Sequence, residues 1–397
     1  MSQPPVGLPV TGLTVTLVTF GQSTEVFERF GHDALWFQDR STGESSVYHW
    51  GLFDFAQPGF IARFVAGEPK FSMGGEDALS RIEFERRTGR SVTLQRLALT
   101  PAQARTLLDF VRWNARDENK YYRYDYFRDN CATRLRDALD RGLGGALKAR
   151  FDTVRTELSY RSESVRLTDG DRPAQLGIDL ALGQPADRYL TAWESFFIPM
   201  RLRDALRDAR IADATGAMVP LVAEERTLPV MPGTPHVVEL TRVPTLVWRY
   251  ALCGLVLAGF VIVLRIMMVT RRGAAWGLAL VSSAWWLVCG VVGVLIACAW
   301  AATQHVFWAR NENLLLLTPL CLALVVLTPM SLLSRRAVRG ARVTAEVVAG
   351  LGCLAALLAI IPGGQHNAAI VALVLPVHLA LAWGLTLPQR DHPVAVA

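Results

Sequence analysis

Two patterns of apolar positions divide the chain. Between residues 247 and 387 the apolar residues run together in five stretches, at about 247–269, 278–301, 314–333, 343–361 and 368–387. Each approaches the ~20 residues that an α-helix needs to cross a ~30 Å hydrocarbon core. Before residue 247 the pattern is mixed. Leu13, Val15 and Leu17 alternate with Thr14 and Thr16, which predicts a strand over 11–20, with further strands over 33–38 and 46–53 joined by a turn at 39–45. Thr100 followed by Pro101 opens a helix over 101–117 that turns Leu107, Leu108, Val111 and Trp113 to one side. A second helix starts near Asn130 and places Leu135, Ala138 and Leu139 on one face before Gly142. More helix is expected around 186–209, and the Pro- and Thr-rich stretch 219–246 reads as a linker. The expectation is an α+β soluble domain over 1–218, a linker, an all-α transmembrane bundle of about five helices over 247–387, and a tail at 388–397.

Charge then supplies the orientation. The net charge of +6 over 397 residues looks at first like a hint of nucleic acid, but residues 247–387 hold nine Arg and two Glu, a balance of +7. The tail adds zero, so the first 246 residues carry 6 − 7 = −1. The basic surplus flanks apolar runs, which is a signature of membrane topology and excludes a polyanion site as its cause. Arg271 and Arg272 lie in one connection, and Arg335, Arg336, Arg339 and Arg342 in another. With these loops in the cytoplasm, an odd number of spans puts residues 1–246 outside, as a multi-pass inner-membrane protein with an N-terminal domain on the periplasmic or extracellular side. The first twenty residues lack a signal-peptide pattern. Three arrangements stay open at this point: a start further upstream, a first span that carries the domain across, or an inverted topology.

Candidate chemistry gathers around one thiol. Cys131 is the single Cys before residue 247, and the other five lie in apolar spans, where they serve as small buried hydrophobes. If Asp129 or Asn130 caps the second helix, Cys131 falls in its first turn. There the unpaired amides, the helix dipole and Arg134 favour a thiolate, and the same amides suit an oxyanion. The alternative is an inert core cysteine behind an ordinary cap. A thiol nucleophile needs a base, and His32, at the mouth of a strand, is the candidate. His49 and Asp54 compete to orient it, whereas His236 in the linker reads as incidental. Aromatics from Phe53 to Phe64 and from Tyr121 to Phe127 suit an acyl groove, an interfacial belt or plain core. No metal spacing, phosphate loop or cofactor motif is present, so neither a metal nor a cofactor is expected.

Three ordered blocks, VTFGQSTEVFERFGHDALWF, YHWGLFDFAQPGFIARFVAGEPKFSM and YFRDNCATRLRDALD, resemble the DUF4105 family, which includes the outer-face domain of Lnb-type lipoprotein intramolecular transacylases. The likeness covers about residues 11–160. A further block from His305 to Leu315 resembles a stretch in the membrane half of such proteins. The order of His before Cys is similar to permuted NlpC/P60 and other papain-like thiol enzymes, an analogy of fold. By position, the resemblance implies Cys131 as nucleophile and His32 as its base. His305, Trp308, Asn311 and Asn313 lie in an outer loop, where they bind a lipid headgroup, dock the outer domain, or simply stay wet.

The function these readings lead to is a membrane-embedded thiol acyltransferase with an acyl-cysteine intermediate, its donor a lipoprotein or phospholipid in the membrane. The alternatives are a cysteine hydrolase acting on peptide, amide or lipid ester, and a membrane-anchored binding module with no chemistry.

Overall fold

The computed structural model describes residues 12–25, 28–213, 215–239 and 243–387. The expected tail at 388–397 lies outside them. The described chain forms two compact units, one of residues up to Ala174 together with Tyr189–Val243, the other of Gln175–Arg188 together with the chain from Pro244 onward.

The first unit is built on an antiparallel sheet. Its strands are β1 (Leu13–Phe20), β2 (His32–Asp39), β3 (Glu44–Leu52), β4 (Lys70–Asp77), β5 (Val92–Leu97) and β6 (Tyr121–Arg123), with an edge strand described below. Helices α1 (Phe60–Ala66), α2 (Ala78–Arg87), α3 (Pro101–Asn114) and α4 (Cys131–Gly142) are threaded between and after these strands. Downstream come α5 (Ala146–Phe151), α6 (Tyr160–Leu167), α7 (Arg172–Ala181), most of which belongs to the second unit, α8 (Ala192–Ser195) and α9 (Pro199–Arg207), then strands β7 (Arg210–Ala212), β8 (Met218–Pro220) and β9 (Val222–Leu228). The order across the seven-stranded sheet is β6-β4-β3-β2-β1-β5-β9.

Strand alternation gives the sheet two buried faces. Leu17, Leu35 and Trp50 share one core with Leu107 and Leu108 of α3, Leu135 and Leu139 of α4, and Leu202 and Leu206 of α9. Val18, Phe20, Ala34 and Val47 face the other way, against Ala78 and Ile82 of α2. Thr100 caps α3 through a reciprocal bond with Gln103, as the Thr-Pro start of that helix led us to expect. The linker reading of 219–246 needs amendment, because Val222–Leu228 pairs along the whole of β5 as the edge strand β9. Its sequence, VAEERTL, lacks the apolar alternation by which strands are usually found, since an edge strand with charged side chains has little to bury.

The second unit carries five helices long and apolar enough to span a bilayer: α10 (Val247–Met267), α11 (Arg272–Ala302), the stretch Asn313–Ser334, α14 (Val338–Leu358) and α15 (Ala368–Thr386). The third span is broken into α12 (Asn313–Leu316) and α13 (Cys321–Ser334), with Pro319 in the interruption. Gln175–Arg188, which the sequence reading placed in the soluble domain, packs with this unit. Gly183 donates to the Phe307 carbonyl at 2.7 Å and Gln184 to that of Arg310 at 3.2 Å.

Candidate active site

The start of α4 is set by a complete capping box. The Asn130 side-chain oxygen accepts from the Thr133 amide at 2.9 Å, and the Thr133 hydroxyl accepts from the Asn130 amide at 2.8 Å. Both amide hydrogens of the Asn130 side chain are also used, on the carbonyls of Tyr126 (3.0 Å) and Phe197 (2.9 Å). Asn130 is therefore a post that holds the helix start, with no donor left for an oxyanion. The next two amides, of Cys131 and Ala132, bond the Cys131 sulfur. These are the groups the first turn leaves over, and they are where an oxyanion could be held.

Gly51 lets this helix start close onto the sheet. Its φ of 88° is left-handed, and a Cβ built on it would stand 3.2 Å from the Cβ of Cys131. The β2–β3 pairing runs from Asp39–Glu44 to Leu35–Tyr48, and beyond it the two strands are tied by the side chains of His32 and His49. His32 in turn forms a relay. Its Nε2 lies 2.8 Å from Nδ1 of His49, and His49 Nε2 lies 2.9 Å from Oε1 of Glu76. A carboxylate only accepts, so the tautomers follow in order. His49 donates from Nε2 to Glu76, its Nδ1 accepts from His32 Nε2–H, and His32 Nδ1 keeps a lone pair for a proton. Arg81 lies 3.5 Å from the same Glu76 oxygen and helps keep that carboxylate ionised.

Three features of this site depart from the sequence reading. Asp54 is exposed beyond the end of β3, its carboxylate accepting from the Ala56 amide at 2.8 Å, and the hydrogen bond to His32 belongs to His49. Arg134 is held in a fork by Asp129 at 2.6 and 2.7 Å and lies over the Tyr122 ring, so its charge is already answered. The Cys131 thiol is pushed well above its ordinary range, first by burial and then by Asp33, and the two helix amides and Arg90 offset this only in part. Desolvation outweighs the helix terminus. Burial likewise lowers the His32 imidazole well below 6.5, with the charges of His49, Arg90 and Arg81 adding to it. The resting pair is thus a neutral thiol and a neutral imidazole.

Sequence reading missed Asp33, Glu76 and Arg90. Asp33 is fully buried; among the described residues no other residue bonds its carboxyl, only its own backbone amide offsets the burial, and desolvation raises it to about 8. Arg90 is buried with its Nε on the Gly21 carbonyl at 2.8 Å and Nη1 2.9 Å from Glu85.

An aromatic run leads from this strand end to the surface. Phe53 packs on Phe71 (5.3 Å between ring centroids), and Phe71 stacks on Tyr124 (4.1 Å). Beyond them Phe55, Ile61, Phe64 and Val65 are exposed on and before α1, a helix whose one buried residue is Phe60.

In the membrane unit, Asn311 and Asn313 are consumed structurally. Asn311 donates to the carbonyls of Leu180 (2.8 Å) and Ala181 (3.1 Å), and Asn313 donates to Leu180 and accepts from Asn367 at 2.9 Å. The His305 ring stacks on Trp308 at 3.9 Å. His236 is exposed, near the Thr234 carbonyl.

A sheet domain with a thiol at a helix start, joined to five apolar spans, defines a multi-pass membrane protein with an outer-face α+β domain. Residues 8–161 match the Lnb N-terminal periplasmic domain and residues 246–390 the Lnb transmembrane domain, together about three quarters of the chain. The chain belongs to the Lnb family, and it is a multi-pass inner-membrane protein with a periplasmic N-terminal domain. No curated protein and no solved structure matches it.

Proposed function

We propose that the protein is a thiol acyltransferase of the inner membrane that passes an acyl group through Cys131, taking it from a membrane phospholipid or lipoprotein. The observation that carries this reading is the His32–His49–Glu76 relay at the strand end onto which the Cys131 helix start closes. In the first step the sulfur attacks the ester carbonyl while its proton passes to His32 Nδ1, and His32 Nε2–H keeps its bond to His49. The oxyanion forms near the amides of Cys131 and Ala132. Collapse breaks the C–O bond, the His32 proton goes to the leaving alkoxide, and a thioester remains. An acceptor amine then attacks the thioester, loses its proton to His32, and releases the thiolate, which regains that proton. The exposed aromatic surface beside the strand end supports an acyl substrate over a peptide.

The test is intact-protein mass spectrometry of the full chain reconstituted with phospholipid. The expected result is a hydroxylamine-sensitive acyl adduct on Cys131, absent in Cys131→Ala and diminished at least tenfold in His32→Ala. An adduct that persists in Cys131→Ala, or none in the wild type under conditions where the bilayer is intact, overturns the reading. Adding an amine acceptor separates transfer from hydrolysis.

A further inference from the structure

With Asn311 and Asn313 engaged in packing, the polar chemistry left over at the periplasmic end of the membrane unit belongs to their neighbours. A cleft of about 420 Å³ opens there, lined by Gln184, Trp300, Arg310, Glu312, Leu314 and Gly363 among others. That volume falls within the ~300–1,000 Å³ typical of small-ligand sites. The cleft lies where α11 ends, at Ala302, and where the chain turns between α14 and α15, the ends opposite the Arg335–Arg342 loop.

Two opposite charges line this cleft without meeting. Among the described residues, the Arg310 guanidinium has neither an ion pair nor a hydrogen bond, and its backbone sits in the left-handed region at φ 48°. For a non-glycine residue that conformation is costly and is characteristic of functional positions. It is held in place from behind, because Gln184 N–H donates to the Arg310 carbonyl and the Gln184 side chain donates to Gly363 at 2.9 Å. Glu312 is oriented just as firmly. Its amide donates to the Gln365 side chain at 2.7 Å, and one of its carboxylate oxygens accepts from the Gln365 amide at 3.0 Å. The other oxygen has no hydrogen bond among the described residues.

We infer that this cleft binds the headgroup of a zwitterionic aminophospholipid, with its phosphate on Arg310 and its ammonium on Glu312. A guanidinium alone would take any phosphodiester. A fixed carboxylate beside it repels an anionic headgroup and pairs with a cationic one, so the two together select a headgroup carrying both charges. Trp300 suits the interfacial level, and Leu314 and Leu315 offer apolar contact to the start of the tails. As the source of an acyl donor, this site rests on the acyl-transfer reading. As a lipid site it does not.

The experiment is lipid retention by the full chain, measured by native mass spectrometry from detergent micelles containing equal amounts of phosphatidylethanolamine and phosphatidylglycerol. Wild type is expected to retain the zwitterionic lipid in roughly tenfold excess. Glu312→Gln, which keeps an acceptor for the Gln365 amide, is expected to bind both lipids alike, and Arg310→Gln to lose both. Cys131→Ala is expected to match wild type, so a missing acyl adduct with intact lipid selectivity would sink the chemistry and spare the site. Equal retention by wild type, or an unchanged preference in Glu312→Gln, would overturn the inference. Displacement of the lipid by free inorganic phosphate at equimolar concentration would do the same, by showing a bare anion site.

Discussion

Asp33→Asn tests the electrostatics of the site most directly. The native carboxyl is raised from 3.8 to about 8 by burial. Between those values the folded protein keeps a proton that the unfolded chain has released, so stability falls as pH rises through this window. The fall is about 1.4 kcal/mol per pH unit, and over ~4 units it amounts to about 5 kcal/mol. Asn has the same shape and no titration, so the stability difference, variant minus wild type, should be smallest near pH 4 and grow to about 5 kcal/mol by pH 8. The assay is thermal unfolding of the full chain in detergent at half-unit steps from pH 4.5 to 8.5. A second readout follows from the same charge: above pH 8 ionised Asp33 holds the Cys131 thiol up, so the variant should alkylate faster at pH 9. Parallel melting curves for the two proteins across the whole range would show that Asp33 is ionised in the native state, and would refute the burial argument.

Other substitutions probe separate links. Gly51→Ala places a Cβ 3.2 Å from that of Cys131 on a left-handed backbone, so it should lower melting stability by roughly 1–3 kcal/mol and change the Cys131 alkylation rate severalfold. An unaltered rate would mean that the strand end does not position the thiol. Glu76→Gln can turn an amide N–H toward His49 and reverse the relay's tautomers; Cys131 acylation should fall by roughly 10- to 100-fold with little change in melting. In the membrane unit, Asn311→Leu removes donors from two carbonyls and should cost about 2–4 kcal/mol of stability, read as a lower melting temperature.

What could be read from the sequence divides along physical lines. The spans were legible because a bilayer imposes length and apolarity within one contiguous segment, and all five expected stretches correspond to helices or, around Pro319, to a broken one. The cap of α4 was legible for a similar reason, since Asn130 and Thr133 act locally. Glu76 was not, because its role depends on β4 pairing with β3, where His49 faces Gly74, and nothing near His49 in the chain announces that partner. Asp54 misled because a hairpin folded about Thr42 and Gly43 would carry residue 54 across from residue 32, whereas β3 stops at Leu52. The ionisation of Cys131 was misjudged because the helix terminus is visible in sequence and the desolvating wall of Tyr122, Tyr124 and the sheet is not.

That wall changes what kind of thiol chemistry is open to the site. A thiolate–imidazolium pair at rest would need the thiol below the imidazole in pKa, and here burial drives them apart, the thiol up and His32 down. In the proposed reaction, charge separation would then be created as the sulfur attacks, as in serine enzymes, where the proton moves to imidazole at that step. Two devices are in place to meet that cost. In the proposed reaction, Glu76 behind His49 would stabilise the cation as it forms, and the Cys131 and Ala132 amides, which already bond the sulfur, would meet the negative charge. A neutral resting thiol is also a poor target for soluble electrophiles and oxidants, whose reagent is the thiolate. On the acyl-transfer reading proposed above, such a thiol would react only once a carbonyl is presented to it.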